Sequence, residues 1–136
     1  MIGIMVIAQS DIAVHLVESA ERMMSRQPGF MGINLGPDRS IEDLTLDLSR
    51  IIREKLGQHE EGVLILTDLF GGTPTNACLA EVQKSQDPAE ILTGVNLPMV
   101  LSALANRGHM KLKELAAKVM ADGQKGIKNA KSVKSE

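Results

Sequence analysis

The sequence predicts an α/β protein of the doubly wound kind, with a mainly parallel sheet and helices packed on both of its faces. Three observations carry this reading. Ile2–Ile7 and Val63–Leu66 are wholly apolar runs of strand length, too apolar for half-exposed strands and suited to strands buried on both faces. Each strand-like run is followed by turn chemistry and then by apolar residues at helical spacing. The β-α unit recurs four times, which calls for right-handed crossovers between parallel strands.

The first strand, IGIMVI, ends in Ala8-Gln9-Ser10-Asp11, where Ser10 or Asp11 can cap a helix. That helix carries Ile12, Ala13, Leu16, Val17, Ala20, Met23 and Met24 on one side and ends at Pro28-Gly29. Phe30–Leu35 reads as a short second strand and Gly36-Pro37-Asp38 as a turn. Ser40 caps the next helix, Ile41–Leu56, which Gly57 is placed to stop. The third strand, VLIL, halts at Thr67-Asp68, and a loop with Gly71-Gly72 leads to Thr73-Pro74, an N-cap followed by proline at the first helical position. Ala89–Val95 is a fourth strand, and Asn96-Leu97-Pro98 opens a helix to about Arg107. The last stretch, Lys111–Glu136, holds seven lysines against three acids, and its helical pattern gives out at Gly123 and Gly126. It is expected to be a final helix with a basic tail from about residue 123. The 136 residues are therefore expected to form a single domain.

Composition excludes several functions. With no Trp or Tyr, only Phe30 and Phe70, and a formal net charge of -2, the chain has neither the stacking rings nor the positive field of a nucleic-acid binder. Its one cysteine, Cys78, cannot form an internal disulfide, and no secretion leader is visible, so a cytosolic location is expected. No apolar run approaches the roughly 20 residues that span a bilayer. Any membrane connection is expected to run through partner subunits.

The chemistry is expected at the carboxyl edge of the sheet, where open α/β sheets place their ligands. Three βα turns, 8–11, 67–73 and 95–98, bring helix N-terminal amides there, and with Gly71, Gly72, Thr73 and Ser10 they make a candidate phosphate site. The same glycine, threonine and proline residues equally serve as turn and cap chemistry. Asp68 is less easily read that way, because a carboxylate directly after a buried strand must be hydrogen-bonded or working. His15 falls on the polar face of the first helix, and His59 and His109 fall near the opposite edge, so all three read as surface residues. No His, Cys or carboxylate cluster has metal-ligand spacing, and no cofactor is expected. Cys78 reads as a small buried apolar residue.

The segments TDLFGGTPTNA (67–77) and TGVNLPMVLSAL (93–104), together with the first strand and turn, resemble the IIA domain of the mannose-family phosphoenolpyruvate-dependent sugar phosphotransferase system. The resemblance covers nearly the whole chain. It implies a sheet of order 2-1-3-4, a cytoplasmic homodimer that exchanges a C-terminal strand, and phosphoryl passage from the phosphocarrier HPr through a histidine to a IIB domain. Asp68 matches the family aspartate after the third strand, and Thr73 matches its Ser/Thr after the glycine pair. The family histidine lies in the first turn, where this chain has Gln9. A carboxamide has no basic nitrogen to attack phosphorus, so Gln9 cannot stand in for the imidazole.

Either a regulatory relative that has lost transfer or an engineered substitution accounts for Gln9. The expected function is a mannose-type IIA module that recognises HPr or a IIB-like partner and transfers phosphate poorly or not at all. Two alternatives differ in class: a carrier phosphorylated elsewhere, at His15 or Asp68, and a flavodoxin-like sensor of a small anion or metabolite. An Asp68 acceptor suits a receiver-type site poorly, because such sites want an acidic pair after the first strand and a lysine after the last.

Overall fold

The computed structural model describes residues 1–36 and 39–132. The elements in chain order are β1 (Gly3–Ala8), α1 (Ile12–Met24), β2 (Phe30–Asn34), α2 (Ile41–Gln58), β3 (Val63–Thr67), α3 (Thr73–Lys84), β4 (Ala89–Leu92), α4 (Leu97–Asn106) and α5 (Leu112–Lys125). The strands form one parallel sheet in the order β2-β1-β3-β4. This is the doubly wound architecture and the strand order that the motifs imply. The expected turn at Pro37-Asp38 lies outside the described residues.

Strand pleating divides the core in two. Ile4, Val6, Ala8, Leu64 and Leu66 face one layer, built with α1, α4 and α5, whereas Met5, Ile7, Val63 and Ile65 face the other, built with α2 and α3. Both faces of β1 and β3 are thus dry, which is why these strands read as unbroken apolar runs. Each fully buried Leu or Ile contributes on the order of 1.5–3 kcal/mol by leaving water. Among the described residues no helix is long and apolar enough to cross a membrane.

Two helix ends differ from expectation. Gly57 does not stop α2, which runs on to Gln58 and ends at the extended residue His59. Glycine inside a helix costs about 1 kcal/mol, and the buried row Leu44, Leu48, Ile52 and Leu56 offsets that. Gly123 likewise lies inside α5. A Cβ there would stand 2.4 Å from Met99 Cγ, so this glycine serves the close approach of α5 to α4 and not helix termination. The basic tail accordingly starts after Gly126, and residues 127–132 are irregular and turn-like. The fourth strand is shorter than expected, because Gly94 (φ 74°) turns the chain and the Gly94 and Val95 amides bond back to the Asp68 and Thr67 carbonyls at 3.1 and 3.0 Å.

Arg107 closes the amino edge of the sheet. Only 6% exposed, it donates to the carbonyls of Ile2 and Gly29 at 3.3 Å each, to that of Pro28 at 2.6 Å, and to Gln27 Oε1 at 3.4 Å. Burial lowers its pKa from the ordinary arginine value. Four acceptors on one guanidinium fork satisfy the segment that leads into β2.

Candidate functional site

The register of β1 against β3 pairs Ile7 with Thr67, so the residues just beyond the two strands emerge side by side at the carboxyl edge. Those residues are Gln9 and Asp68. Asp68 is half-buried, and its carboxylate accepts two backbone amides, from Gln9 to Oδ2 at 3.3 Å and from Leu69 to Oδ1 at 2.9 Å. The Gln9 carbonyl accepts from Gly36 at 3.1 Å, and the Ala8 carbonyl from Leu35 at 3.0 Å. The Gln9 backbone is therefore held from both sides, by the end of β2 and by the turn after β3, while its side chain lies exposed.

Asp11 occupies the N-cap position of α1 without a side-chain cap bond. Ser10 Oγ accepts weakly from the Ile12 amide at 3.4 Å, and Asn34 Oδ1 reaches across from the end of β2 to the Val14 amide at 3.1 Å. One first-turn donor of α1 is thus taken by a side chain from another strand, 20 residues away in sequence.

The turn after β3 is built differently from expectation. Gly72, not Thr73, is the N-cap of α3, and Thr73 and Pro74 are its first two residues. Gly71 adopts φ 79°, a left-handed conformation that suits glycine. The Gly72 amide is spent on the Leu69 carbonyl at 3.3 Å, and Pro74 has no amide to offer. The turn is clamped from below by Thr75, whose hydroxyl donates to the Leu69 carbonyl at 2.6 Å and meets Thr67 Oγ1 at 2.7 Å. Asn76 Nδ2 adds a bond to the Gly71 carbonyl at 3.3 Å.

The third turn, 95–98, and Gly94 just before it brace the Asp68 turn from behind. The Gly94 and Val95 amides bond the Asp68 and Thr67 carbonyls, and Asn96 Oδ1 caps α4 by accepting from Met99 at 3.0 Å. The structure thus brings Gln9, Ser10, Asp68, Gly71, Gly72 and Thr73 to one edge on two turns and uses the third as their support. Asn34 carries no signal in a linear reading beyond its turn propensity, because its partner Val14 is brought to it by the fold, whereas Thr75 and Asn76 bond within their own turn and Asn96 makes the local cap where α4 was expected to open.

The chain matches the family model described as the PTS system fructose IIA component, EIIA-man, over residues 3–120. The chain belongs to the EIIA-man family. It is 28% identical over 127 residues to the fructose-specific EIIA component of Bacillus subtilis, which covers 93% of this chain and 85% of the relative. It is 29% identical over 117 residues to the sorbose-specific EIIA component of Lacticaseibacillus casei, covering 86% and 82% of the two. Its structure superposes on the crystal structure of the phosphotransferase component EIIA from Streptococcus agalactiae with a TM-score of 0.88 at 27% identity, covering 98% of this chain and all of that one.

The histidines of this EIIA-man chain are engaged elsewhere. His15 stands on the outer face of α1 with its ring nitrogens 3.6 Å from Asp11 and 3.5 Å from Glu18. His59 is half-buried at the amino edge, where Nδ1 lies 3.1 Å from the Met1 carbonyl and the ring occupies the space that a Cβ on Gly3 would need. His109 is exposed beyond α4. Cys78 is fully buried, and burial pushes its thiol pKa up from 9.0 to about 12.

Proposed function

We propose that this chain is a docking and regulatory module of the phosphoenolpyruvate-dependent sugar phosphotransferase system, one that recognises an HPr-like phosphocarrier and a IIB-like partner without accepting the phosphoryl group. Membership of EIIA-man supplies the system, and the residue at position 9 supplies the departure. Transfer to a histidine needs an imidazole nitrogen with a free lone pair to attack phosphorus as the bond to the donor breaks. Gln9 offers a carboxamide, whose nitrogen lone pair is delocalised into its carbonyl.

The surrounding geometry supports a retained docking edge. Asp68 keeps its place through two backbone amides and does not depend on a side chain at position 9. Gly71, Gly72, Thr73 and Ser10 stand around it as the candidate phosphate contacts, with the N-terminal ends of α1 and α3 lending positive potential. Leu69 and Phe70, 67% and 86% exposed, offer apolar surface beside that edge. In this reading the module works in the cytosol as a homodimer and reaches the membrane only through other subunits.

The test is incubation with phosphoenolpyruvate, enzyme I and HPr, followed by intact-mass measurement and titration of HPr against the chain. The expected result is HPr binding with no gain of mass. A phosphoryl adduct that survives base and is lost in acid would mean that a histidine such as His15 carries transfer, and the regulatory reading would fall. A base-labile adduct would point instead to Asp68.

A further inference from the structure

The helices α2 and α4 are capped by the residue that precedes them. Ser40 (φ -63°, ψ 152°) and Asn96 (φ -141°, ψ 168°) are extended, and each side chain accepts from the third amide of its own helix, Asp43 at 3.1 Å and Met99 at 3.0 Å. α1 departs from this pattern. Asp11 holds its N-cap position at φ -84° and ψ 3°, outside the extended region, and makes no side-chain cap bond. The third amide of α1, that of Val14, is taken instead by Asn34 Oδ1 at 3.1 Å. A residue of β2 thus performs the cap of a neighbouring helix.

The end of β2 holds the turn that carries position 9 through three consecutive residues. Asn34, the register partner of Ala8, binds the first turn of α1, Leu35 donates to the Ala8 carbonyl, and Gly36 donates to the Gln9 carbonyl. The chain passes from β1 to α1 through Gln9, Ser10 and Asp11 alone, so both ends of this span are fastened to one strand end. Relief from capping lets Asp11 take the compact conformation that closes so short a span. Its carboxylate turns outward, 3.6 Å from His15 Nε2. A cap made by Asp11 itself would require the extended backbone seen at Ser40 and Asn96, and would lengthen the span. From the β3 side the turn is held by the Gln9 amide bond to Asp68, which at 3.3 Å is long.

We propose that Asn34 is a positioning residue of the docking crevice: by capping α1 from the adjacent strand it sets the path of residues 9–11, and so the direction in which the position-9 side chain meets the partner. The inference rests on the docking reading above.

The test is amide hydrogen exchange, followed residue by residue by NMR, with HPr titration. Parent, Asn34→Ala, Asn34→Asp and Arg107→Lys are compared under conditions where urea unfolding shows each to be folded. Asn34→Ala should speed exchange at least tenfold at Val14, which loses its acceptor, and also at Gln9 and Gly36, whose amides do not bond Asn34. It should weaken HPr binding at least tenfold. Asn34→Asp keeps an acceptor oxygen in place, at a helix end that favours negative charge, and should restore both properties. Arg107→Lys, which loosens the opposite edge of the sheet, should bind HPr as the parent does. Faster exchange confined to Val14 would make Asn34 a local cap and overturn the proposal. Unchanged HPr affinity in Asn34→Ala, or an equal loss in Arg107→Lys, would overturn it too. A parent that does not bind HPr, with exchange at Gln9 and Gly36 still following residue 34, would sink the docking reading and leave the positioning of the turn standing.

Discussion

The hydroxyls of Thr67 and Thr75 lie 2.7 Å apart, with neither residue more than 1% exposed. Since the Thr75 proton goes to the Leu69 carbonyl, Thr67 donates to Thr75, and a buried relay runs from the end of β3 to the turn that carries Asp68. Thr75→Val should destabilise the protein by about 1–3 kcal/mol in urea unfolding, because it strands the Thr67 donor and the Leu69 carbonyl. The double variant Thr67→Val/Thr75→Val should lose less than the sum of the two single changes. Strict additivity would show that the hydroxyls do not act as a pair.

Arg107 holds four acceptors at the amino edge, three of them backbone carbonyls. Arg107→Met should cost about 3 kcal/mol, since it leaves buried carbonyls without a donor. Arg107→Lys should recover little of this, because one ammonium cannot reproduce the span of a guanidinium fork. Equal stability of the lysine variant and the parent would remove the guanidinium from its assigned role.

Cys78 gives a pH signature. Its thiol pKa rises from 9.0 to about 12 in the fold, so above pH 9 the unfolded chain releases a proton that the folded chain keeps. Unfolding then becomes easier as pH rises, by about 1.4 kcal/mol per unit between those two values. Comparing parent and Cys78→Ala from pH 8 to pH 11 should show the parent's advantage shrinking with that slope. A difference that does not change with pH would show the thiol to be freely ionised in the native state.

Gln9→His places an imidazole on a backbone already fixed by Gly36 and Asp68. Phosphoryl transfer from phospho-HPr should appear in this variant and be absent in the parent, with the Asp68 carboxylate orienting the ring. Adding Asp68→Ala should slow transfer at least tenfold. A folded Gln9→His chain that binds HPr and gains no phosphate would mean that the site has diverged at more than position 9.

What the sequence shows of this protein follows the range of the forces involved. The four βα units were legible because Ile2–Ile7 and Val63–Leu66 report their burial locally, and the position of Asp68 followed from where the third apolar run ends. Gly57 and Gly123 misled because glycine has two uses, and only the packing of Met99 tells close approach from termination at the second of them. Thr73 stood where a cap was expected, yet Gly72, after Gly71 at φ 79°, takes the N-cap and Thr73 is the first helical residue. Asn34 and Arg107 were illegible for one shared reason: each bonds a segment whose proximity only the finished fold creates.

The staple at Arg107 has a consequence for how the molecule comes into being. β1 and β2 lie within the first 34 residues, but the segment between α1 and β2 is satisfied by a side chain 105 positions after Ile2. β1 also needs β3 as its second neighbour. A ribosome releasing the chain from its N-terminus therefore exposes the first strand pair long before its donors arrive, and loop closure over that distance favours waiting. The amino edge of the sheet is complete only once the end of α4 has been made.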